Sequence, residues 1–288
     1  MSKLQQPVIG YTLGDQAGIG PEVVSAALCR LSRRAEFRPM GATLDIQPGI
    51  PTEKSAYAAL EQLERAAEAL KDGSIDAVVT APVCKENLHR VGFRFPGQTE
   101  FFAERLGVKN FAMCLTGKHL TVALTTTHLA LKQVPLQLTA QDIVRVGSLL
   151  ADFLKRTGES RPRIAVAGLN PHNGESGAFG DEEARIIAPA VSELSRISGV
   201  EFIGPCVPDT VYREAAAGKY SAVVAPYHDQ ALIPLKMLDF DNAVNATLGL
   251  PRLRVSPDHG TAFGIAGKGI ADPSSTIRAF EVALKSVH

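Results

Sequence analysis

The chain has no tryptophan, few aromatic residues (6%) and only four cysteines in 288 residues. Cys29, Cys84, Cys114 and Cys206 lie far apart with no C-x-x-C spacing, which excludes a disulfide framework and a compact zinc knuckle. They are expected to be free, mostly buried thiols in a reducing compartment. Net charge is missing too, with 30 Lys plus Arg against 30 Asp plus Glu. That balance gives no general attraction to nucleic acid or to an anionic membrane, so any anion site must be local. No run approaches the ~18 to 20 apolar residues needed to cross a bilayer, and the start, Met-Ser-Lys-Leu-Gln-Gln-Pro, lacks the apolar core of a signal peptide. A cytoplasmic location follows as an expectation. Internal repeats, low-complexity tracts and Pro/Ser-rich linkers are absent as well. What remains is ordinary for a globular α/β protein, 45% hydrophobic and 21% charged, in a chain long enough for two lobes.

Strand and helix signals alternate along it. Val8 to Thr12 reads as a first strand, followed by the turn Gly14-Asp-Gln-Ala-Gly-Ile-Gly-Pro-Glu22 and a helix beginning near Pro21. Residues 33–51 are the least regular, a short connection with one strand. Ala56, Leu60, Leu63, Ala67 and Leu70 recur at helical spacing until Gly73. Further strands are predicted at 75–80, 112–115, 121–126, 164–169 and 221–225, and helices at 101–106, 139–156 and 181–197. This alternation predicts a mainly parallel sheet.

Three of the seven histidines share one placement. His128 follows the strand 121–126, His172 follows 164–169 through Asn170-Pro171, and His228 follows 221–225 through Pro226 and Tyr227. Open α/β sheets build their sites past the C-terminal ends of strands. Taken singly, each histidine reads as a strand cap or a loop hydrogen-bonding group. Taken together, with Asp209 and Asp229 close in sequence, they point to a divalent metal, since imidazole suits Zn2+ and Co2+ and three protein ligands leave positions open. Anion-binding candidates are Lys236, Asn245 and Arg254, with Gln98 and Thr99 at a helix start. On spacing alone, Lys236 and Arg254 read equally as surface cations. The glycine-dense stretch 256–273 fails the phosphate-loop pattern, which needs Gly at 262 and Ser or Thr at 269. Gly18-Ile-Gly20 likewise ends on Val23 rather than completing G-x-G-x-x-G. The residues by themselves give a metal-assisted reaction on a small anionic substrate.

Several ordered motifs resemble one family over nearly the whole chain. They are Gly14-Asp-x-Ala-Gly-Ile-Gly-Pro-Glu22, Thr80-Ala-Pro82 with Lys85, Gly97-x-Thr-Glu100, Thr126-Thr-His128, Gly168-Leu-Asn-Pro-His172 with Gly174-Glu175, Tyr227-His-Asp-Gln230, Val244-Asn-x-Thr-Leu-Gly-Leu-Pro251 and Asp258-His-Gly-Thr-Ala262. Together they resemble the 4-hydroxythreonine-4-phosphate dehydrogenase family of pyridoxal phosphate biosynthesis. The first and last, with Ile265-Ala-Gly-Lys-Gly-Ile-Ala-Asp-Pro273, are also similar to β-decarboxylating dehydrogenases such as isocitrate and isopropylmalate dehydrogenase. The resemblance implies a two-lobed α/β/α fold with an active-site cleft between the lobes, residues 1–118 and 256–288 forming the first and 119–255 the second. It implies a homodimer with metal ligands shared across its interface. It implies NAD or NADP, bound by Gly14, Asp15, His259, Gly260, Thr261, Ala262 and Asp272 without a Rossmann glycine turn. One divalent ion (Zn2+, Mg2+ or Co2+) is implied on His128, His172 and His228, and a phosphorylated substrate on Gln98, Thr99, Lys236, Asn245 and Arg254. Lys236, Asp209, Asp229 and Lys85 are the candidate proton-transfer residues.

The reaction implied is NAD(P)-dependent oxidation of 4-phosphohydroxy-L-threonine or a related phosphorylated hydroxy acid, then metal-assisted decarboxylation. This sequence departs from the family in three places. Gln98 stands where the family usually has His, Gln16 where it has Pro, and Cys84 where it has Asn or a similar polar residue. Gln98 donates a hydrogen bond but carries no charge, which opens phosphothreonate or a dihydrodiol as alternative substrates. A metal-dependent hydrolase or aldolase working without nicotinamide is the alternative from another class.

Overall fold

A computed structural model describes residues 6–32 and 34–287. In chain order they form β1 (Val8–Tyr11), α1 (Gly20–Leu31), β2 (Glu36–Pro39), α2 (Glu53–Asp72), β3 (Ala77–Val79), α3 (Lys85–Arg90) and α4 (Gln98–Arg105). Next come β4 (Ala112–Thr116), β5 (Thr121–Leu124), α5 (Val134–Gln137), α6 (Ala140–Arg156), β6 (Arg163–Ala167), α7 (Ala188–Leu194) and β7 (Glu201–Cys206). The chain continues with α8 (Pro208–Ala216), β8 (Ala222–Ala225), α9 (His228–Asp239), β9 (Val244–Leu248), β10 (Leu253–Pro257) and α10 (Ser274–Lys285). Two compact units result, Met1–Lys109 with Val244–His288, and Asn110–Ala243.

The first unit orders its strands β2-β1-β3-β10-β9. Its longest helix shows why local sequence suffices for parts of the fold. Thr52 accepts from the Ser55 amide while Ser55 Oγ accepts from the Thr52 amide, a reciprocal cap on two otherwise unpaired donors. Gly73 ends α2 at φ 82°, a left-handed position that glycine takes without a Cβ clash. Between these ends, Ala56, Ala59, Leu63, Ala67 and Leu70 form one buried stripe against Ile75 and Val78. β10 pairs in parallel with β3 and carries β9 with it as a hairpin, which places Val244–His288 with the first unit. Asn245 and Arg254 therefore belong to the first unit.

The second unit orders its strands β4-β5-β8-β6-β7. Its pairings β5–β8, β8–β6 and β6–β7 are parallel, whereas β4–β5 is an antiparallel hairpin, as is β9–β10 in the first unit. The sheet is thus mainly parallel, as expected, and turns antiparallel where four-residue connections such as 117–120 and 249–252 are too short for a crossover. The expectation of mostly buried thiols is corrected. Only Cys114 is buried, and burial pushes its thiol pKa up; Cys29 is exposed, and Cys84 and Cys206 are half-buried.

Asp239, at the end of α9, is 1% exposed and anchors the β4–β5 turn. Oδ2 accepts from the amides of His119 (2.9 Å) and Leu120 (3.1 Å), and His119 Nδ1 lies 2.8 Å from Oδ1. A Cβ on Gly117 would come within 2.3 Å of the carboxylate, so only glycine fits there. Burial alone would raise the Asp239 pKa, but the bonds from His119, Lys118 and Leu120 outweigh it and hold the pKa below the usual value. A carboxylate with a depressed folded pKa contributes stability that is present above its unfolded pKa of about 3.9 and lost as pH falls through the folded value. Asp239→Asn is therefore expected to destabilise the fold by about 2–4 kcal/mol at pH 7. The gap to wild type in urea melts should close below pH 4; a constant gap from pH 7 to pH 3 would contradict this role.

Candidate active site

β5, β8 and β6 are adjacent and parallel, so the segments carrying His128, His228 and His172 leave the same edge of the second unit's sheet. Two of these segments are stitched together. The Thr126 amide and hydroxyl both donate to the Pro226 carbonyl, at 3.1 and 2.7 Å. The His128 and His228 rings consequently stand 5.8 Å apart. They border a cavity of about 320 Å3 with Thr127, Leu131, Tyr227 and Asp229. Pro226 ends β8, Tyr227 stays extended, and His228 opens α9 rather than ending a loop. His228 Nδ1 lies 2.6 Å from Asp229 Oδ1, an arrangement that puts the proton on Nδ1 and leaves the Nε2 lone pair outward.

His172 is placed differently. Its side chain is 66% exposed, beside Glu175 and edge-on to Phe179. Among the described residues no three His, Cys, Asp or Glu side chains gather in a group fit for a metal. One copy of the chain thus brings together two imidazoles, His128 and His228, and sets the third apart on the same sheet edge. Two imidazole nitrogens beside a cavity suit a borderline ion such as Zn2+ or Co2+ better than Mg2+, which prefers oxygen.

In the first unit, strand register gathers the anion-binding candidates. Side chains alternate along a strand, and Arg254 pairs with Thr247 on β9 and with Val78 on β3. Asn245, Thr247, Arg254 and Thr80 therefore share one face. Arg254 is 3% exposed; its Nε donates to Thr80 Oγ1 and its Nη2 to Gln98 Oε1, both at 2.9 Å. Thr99 Oγ1 sits 3.4 Å from Thr247 Oγ1. Gln98, Thr99 and Glu100 form the first turn of α4, which starts earlier than the 101 expected and has no side-chain cap, leaving its amides open to an anion. Lys85 lies against Gly97, its Nζ 3.7 Å from where a Cβ would sit. The Asn245 Oδ1 atom is buried without a partner.

The cofactor candidates also converge within this unit. The Ile19 amide donates to the Thr261 carbonyl at 2.9 Å, and Gly18 packs so closely there that a Cβ would lie 2.5 Å from that oxygen. This seam joins the turn containing Gly14 and Asp15 to the loop His259 to Ala262. Two buried polar atoms, Asp15 Oδ2 and His259 Nε2, lack partners, and open space surrounds the Gly260 Cβ position. Those features fit a polar ligand such as a nicotinamide dinucleotide. Glu22 accepts from the Gly267 and Gly269 amides and holds the glycine-dense loop in shape. Asp272 Oδ1 accepts from the Ser274 amide, at the start of α10.

Of the remaining candidates, Asp209 and Asp229 border an apolar groove of about 490 Å3 with Tyr212, Ile233 and Met237. Lys236 is exposed on α9, two turns beyond His228. Sequence reasoning missed Thr80 and Thr247. Thr80 and Thr247 stood inside quoted motifs, and strand alternation relative to Arg254 was the signal that could have found them. Gln16, 5% exposed, clamps the short 33–51 connection by donating to the Ala42 carbonyl and accepting from the Leu44 amide.

The family model described as pyridoxal phosphate biosynthetic protein PdxA matches residues 21–283. The 4-hydroxythreonine-4-phosphate dehydrogenase of Desulforapulum autotrophicum is 41% identical over 96% of this chain and 95% of its own. The solved structure of the enzyme of that name from Klebsiella pneumoniae superposes with a TM-score of 0.83 at 37% identity, covering 98% of this chain and 100% of that one. Isocitrate dehydrogenase from Methylococcus capsulatus, at 15% identity and TM-score 0.54 over 95% of this chain and 84% of its own, shares the fold alone. With a model matched across most of its length and relatives this similar end to end, the chain belongs to the pyridoxal phosphate biosynthetic protein PdxA family.

Proposed function

We propose that this chain is an NAD(P)- and divalent-metal-dependent dehydrogenase that oxidises the secondary alcohol of 4-phosphohydroxy-L-threonine and then decarboxylates the product. The alcohol loses a hydride to NAD(P)+ and a proton to the protein or solvent; the resulting β-keto acid loses CO2, and the carbanion left takes up one proton. When bound, the nicotinamide ring accepts the hydride and the cation draws electron density from the substrate oxygens through both steps. His128 and His228 are the ligands supplied by one copy, with Asp229 fixing the His228 tautomer. Arg254, Thr99 and the α4 amides hold the phosphate, Asn245 and Lys236 orient the remaining polar groups, and Lys85, Asp209 and Asp229 are the proton carriers. Asp15 and the loop His259 to Ala262, with Gly14 and Asp272, hold the cofactor.

The observation that carries this reading is the pairing of two imidazoles at adjacent parallel strand ends in a member of this family. A homodimer in which His172 of a second copy completes the set accounts for its distance from the pair within one chain. Exposed Ile233, Met237, Leu238 and Phe240 supply apolar surface for such an interface. Four free cysteines suit the cytoplasm, and among the described residues no helix is long and apolar enough to cross a membrane.

A second reading keeps the redox step and exchanges the substrate for phosphothreonate or a related phosphorylated hydroxy acid. Gln98 favours it: Oε1 is occupied by Arg254, so its amide presents only neutral N–H donors to the ligand. Reduced-cofactor absorbance should appear with 4-phosphohydroxy-L-threonine, vanish on chelation and return with Zn2+, Co2+ or Mg2+. Turnover of phosphothreonate alone would select the second reading. Undiminished turnover by metal-free protein, or none with either NAD+ or NADP+, would reject both.

A further inference from the structure

The segment bearing His172 adopts a backbone that sequence alone does not favour. His172, Asn173, Gly174, Glu175 and Ser176 have φ of 52°, 56°, 75°, 42° and 58°, one left-handed turn of five residues. For each of the four non-glycine residues that conformation costs about 1–2 kcal/mol, so the surroundings must impose it. Glu183 does so from below. It is 5% exposed, and its Oε1 accepts from two consecutive amides, Leu169 (2.8 Å) and Asn170 (2.7 Å). Its Oε2 accepts from Asn170 Nδ2 at 3.0 Å. A Cβ on Gly174 would lie 2.9 Å from the same carboxylate, so the left-handed turn rests directly on it. Glu183 opens a single π-helical turn, Glu183–Ile187, a distortion found often at functional sites. From the other side, Asn173 Nδ2 donates to the Pro205 carbonyl at 2.8 Å. The imidazole carried by this buried scaffold is itself exposed.

We infer that Glu183 is a positioning residue for metal binding: it locks the left-handed turn 172–176 so that His172 is presented rigidly, already ordered, to the ion. This rests on the proposed ligand role of His172. The Glu183 carboxylate acts through the backbone of this segment, by its bonds to the Leu169 and Asn170 amides. It stabilises the strained turn through charge-assisted bonds to backbone donors, which hold a loop with less freedom than neutral ones. Removing it leaves the imidazole in place chemically but adds an ordering cost to every binding event.

The test compares full-length wild type, His172→Ala, Glu183→Ala and Glu183→Gln, titrated with Co2+ by calorimetry and visible absorption. Glu183→Ala is expected to weaken Co2+ binding by roughly 10–100-fold, the usual range for outer groups that orient a ligand, and to alter the cobalt spectrum. Glu183→Gln retains an oxygen for the two amides but turns an NH2 toward Asn170, so it should recover most of the affinity. Wild-type affinity and spectrum in Glu183→Ala, with binding lost in His172→Ala, would overturn the positioning role alone. Unchanged binding in His172→Ala would remove the ligand reading beneath it. Should Glu183→Ala fail to fold, Glu183→Gln decides: a spectrum and affinity identical to wild type, with amide exchange at 169 and 170 accelerated, overturns the proposal, and a loss of a few-fold supports it.

Discussion

Replacing Arg254 with methionine is expected to lower kcat/KM for a phosphorylated substrate by roughly 10^2–10^3, about 3–4 kcal/mol of lost binding, while Tm stays within a few degrees of wild type. The two halves of this expectation share one cause. Arg254 is a buried cation with neutral hydrogen-bond partners, Thr80 and Gln98, and with Glu100 the charge that favours its ionised form. Burial draws its pKa down to about 9, with Glu100 pulling the other way. A cation whose folded pKa is depressed is held at a cost to stability throughout the range where it is charged, so an apolar replacement of similar length gives up little in the free protein. Its value appears when a phosphate arrives and supplies the missing counter-charge. Arg254→Lys should recover part of the charge but not the two-pronged geometry. The sign of the pH effect follows. The guanidinium is charged below its pKa and burial lowers that pKa, so the alkaline loss of kcat/KM for the phosphorylated substrate should set in at lower pH than an exposed arginine would give. An analogue without the phosphate should show no such limb. Bound phosphate stabilises the charged form, which moves the corresponding limb in kcat to higher pH. An unchanged KM in Arg254→Met would take Arg254 out of the anion site.

Arg254 also shows how far the sequence alone reaches. Its residue type and its spacing from His228 made it a candidate, but nothing local said whether it pointed into a site or into solvent. That depended on β9 and β10, whose short runs around Gly249-Leu-Pro251 lack the length or alternation to stand out, and whose register with β3 sets which residues share a face. Local chemistry was enough for α2, where Thr52, Ser55 and Gly73 mark both ends, and for the three histidine-bearing strands, whose continuous apolar runs reflect burial on both faces. It was not enough for the turn at 172–176, because only Gly174 there favours a left-handed backbone, and the groups imposing it, Glu183 and Asn173 on Pro205, are distant in sequence. The same limit hid Asp239, an ordinary helix-terminal aspartate until the 117–120 turn folds onto it.

The placement of the histidines yields a quantitative expectation for a mixture of two inactive proteins. His228→Ala and His172→Ala should each lose stoichiometric metal binding and lower activity by at least ~10^3, the scale on which a bound cation contributes several kcal/mol to the reaction. If one site takes His128 and His228 from one copy and His172 from another, a His172→Ala copy still offers an intact pair, and a His228→Ala copy still offers an intact third ligand. Random reassociation of equal amounts makes half the dimers hybrid, each with one complete site and one doubly defective site. Activity should then return to about one quarter of wild type, with metal bound in the same proportion. A site contained within a single copy predicts no recovery at all, because every copy in the mixture lacks one ligand. Mixing His128→Ala with His228→Ala is the matched control. Those two histidines stand 5.8 Å apart in one chain, so no reassociation rebuilds their pair, and the mixture should remain inactive. Recovery in that control would mean that the His128–His228 pair is not the ligand unit contributed by a single copy.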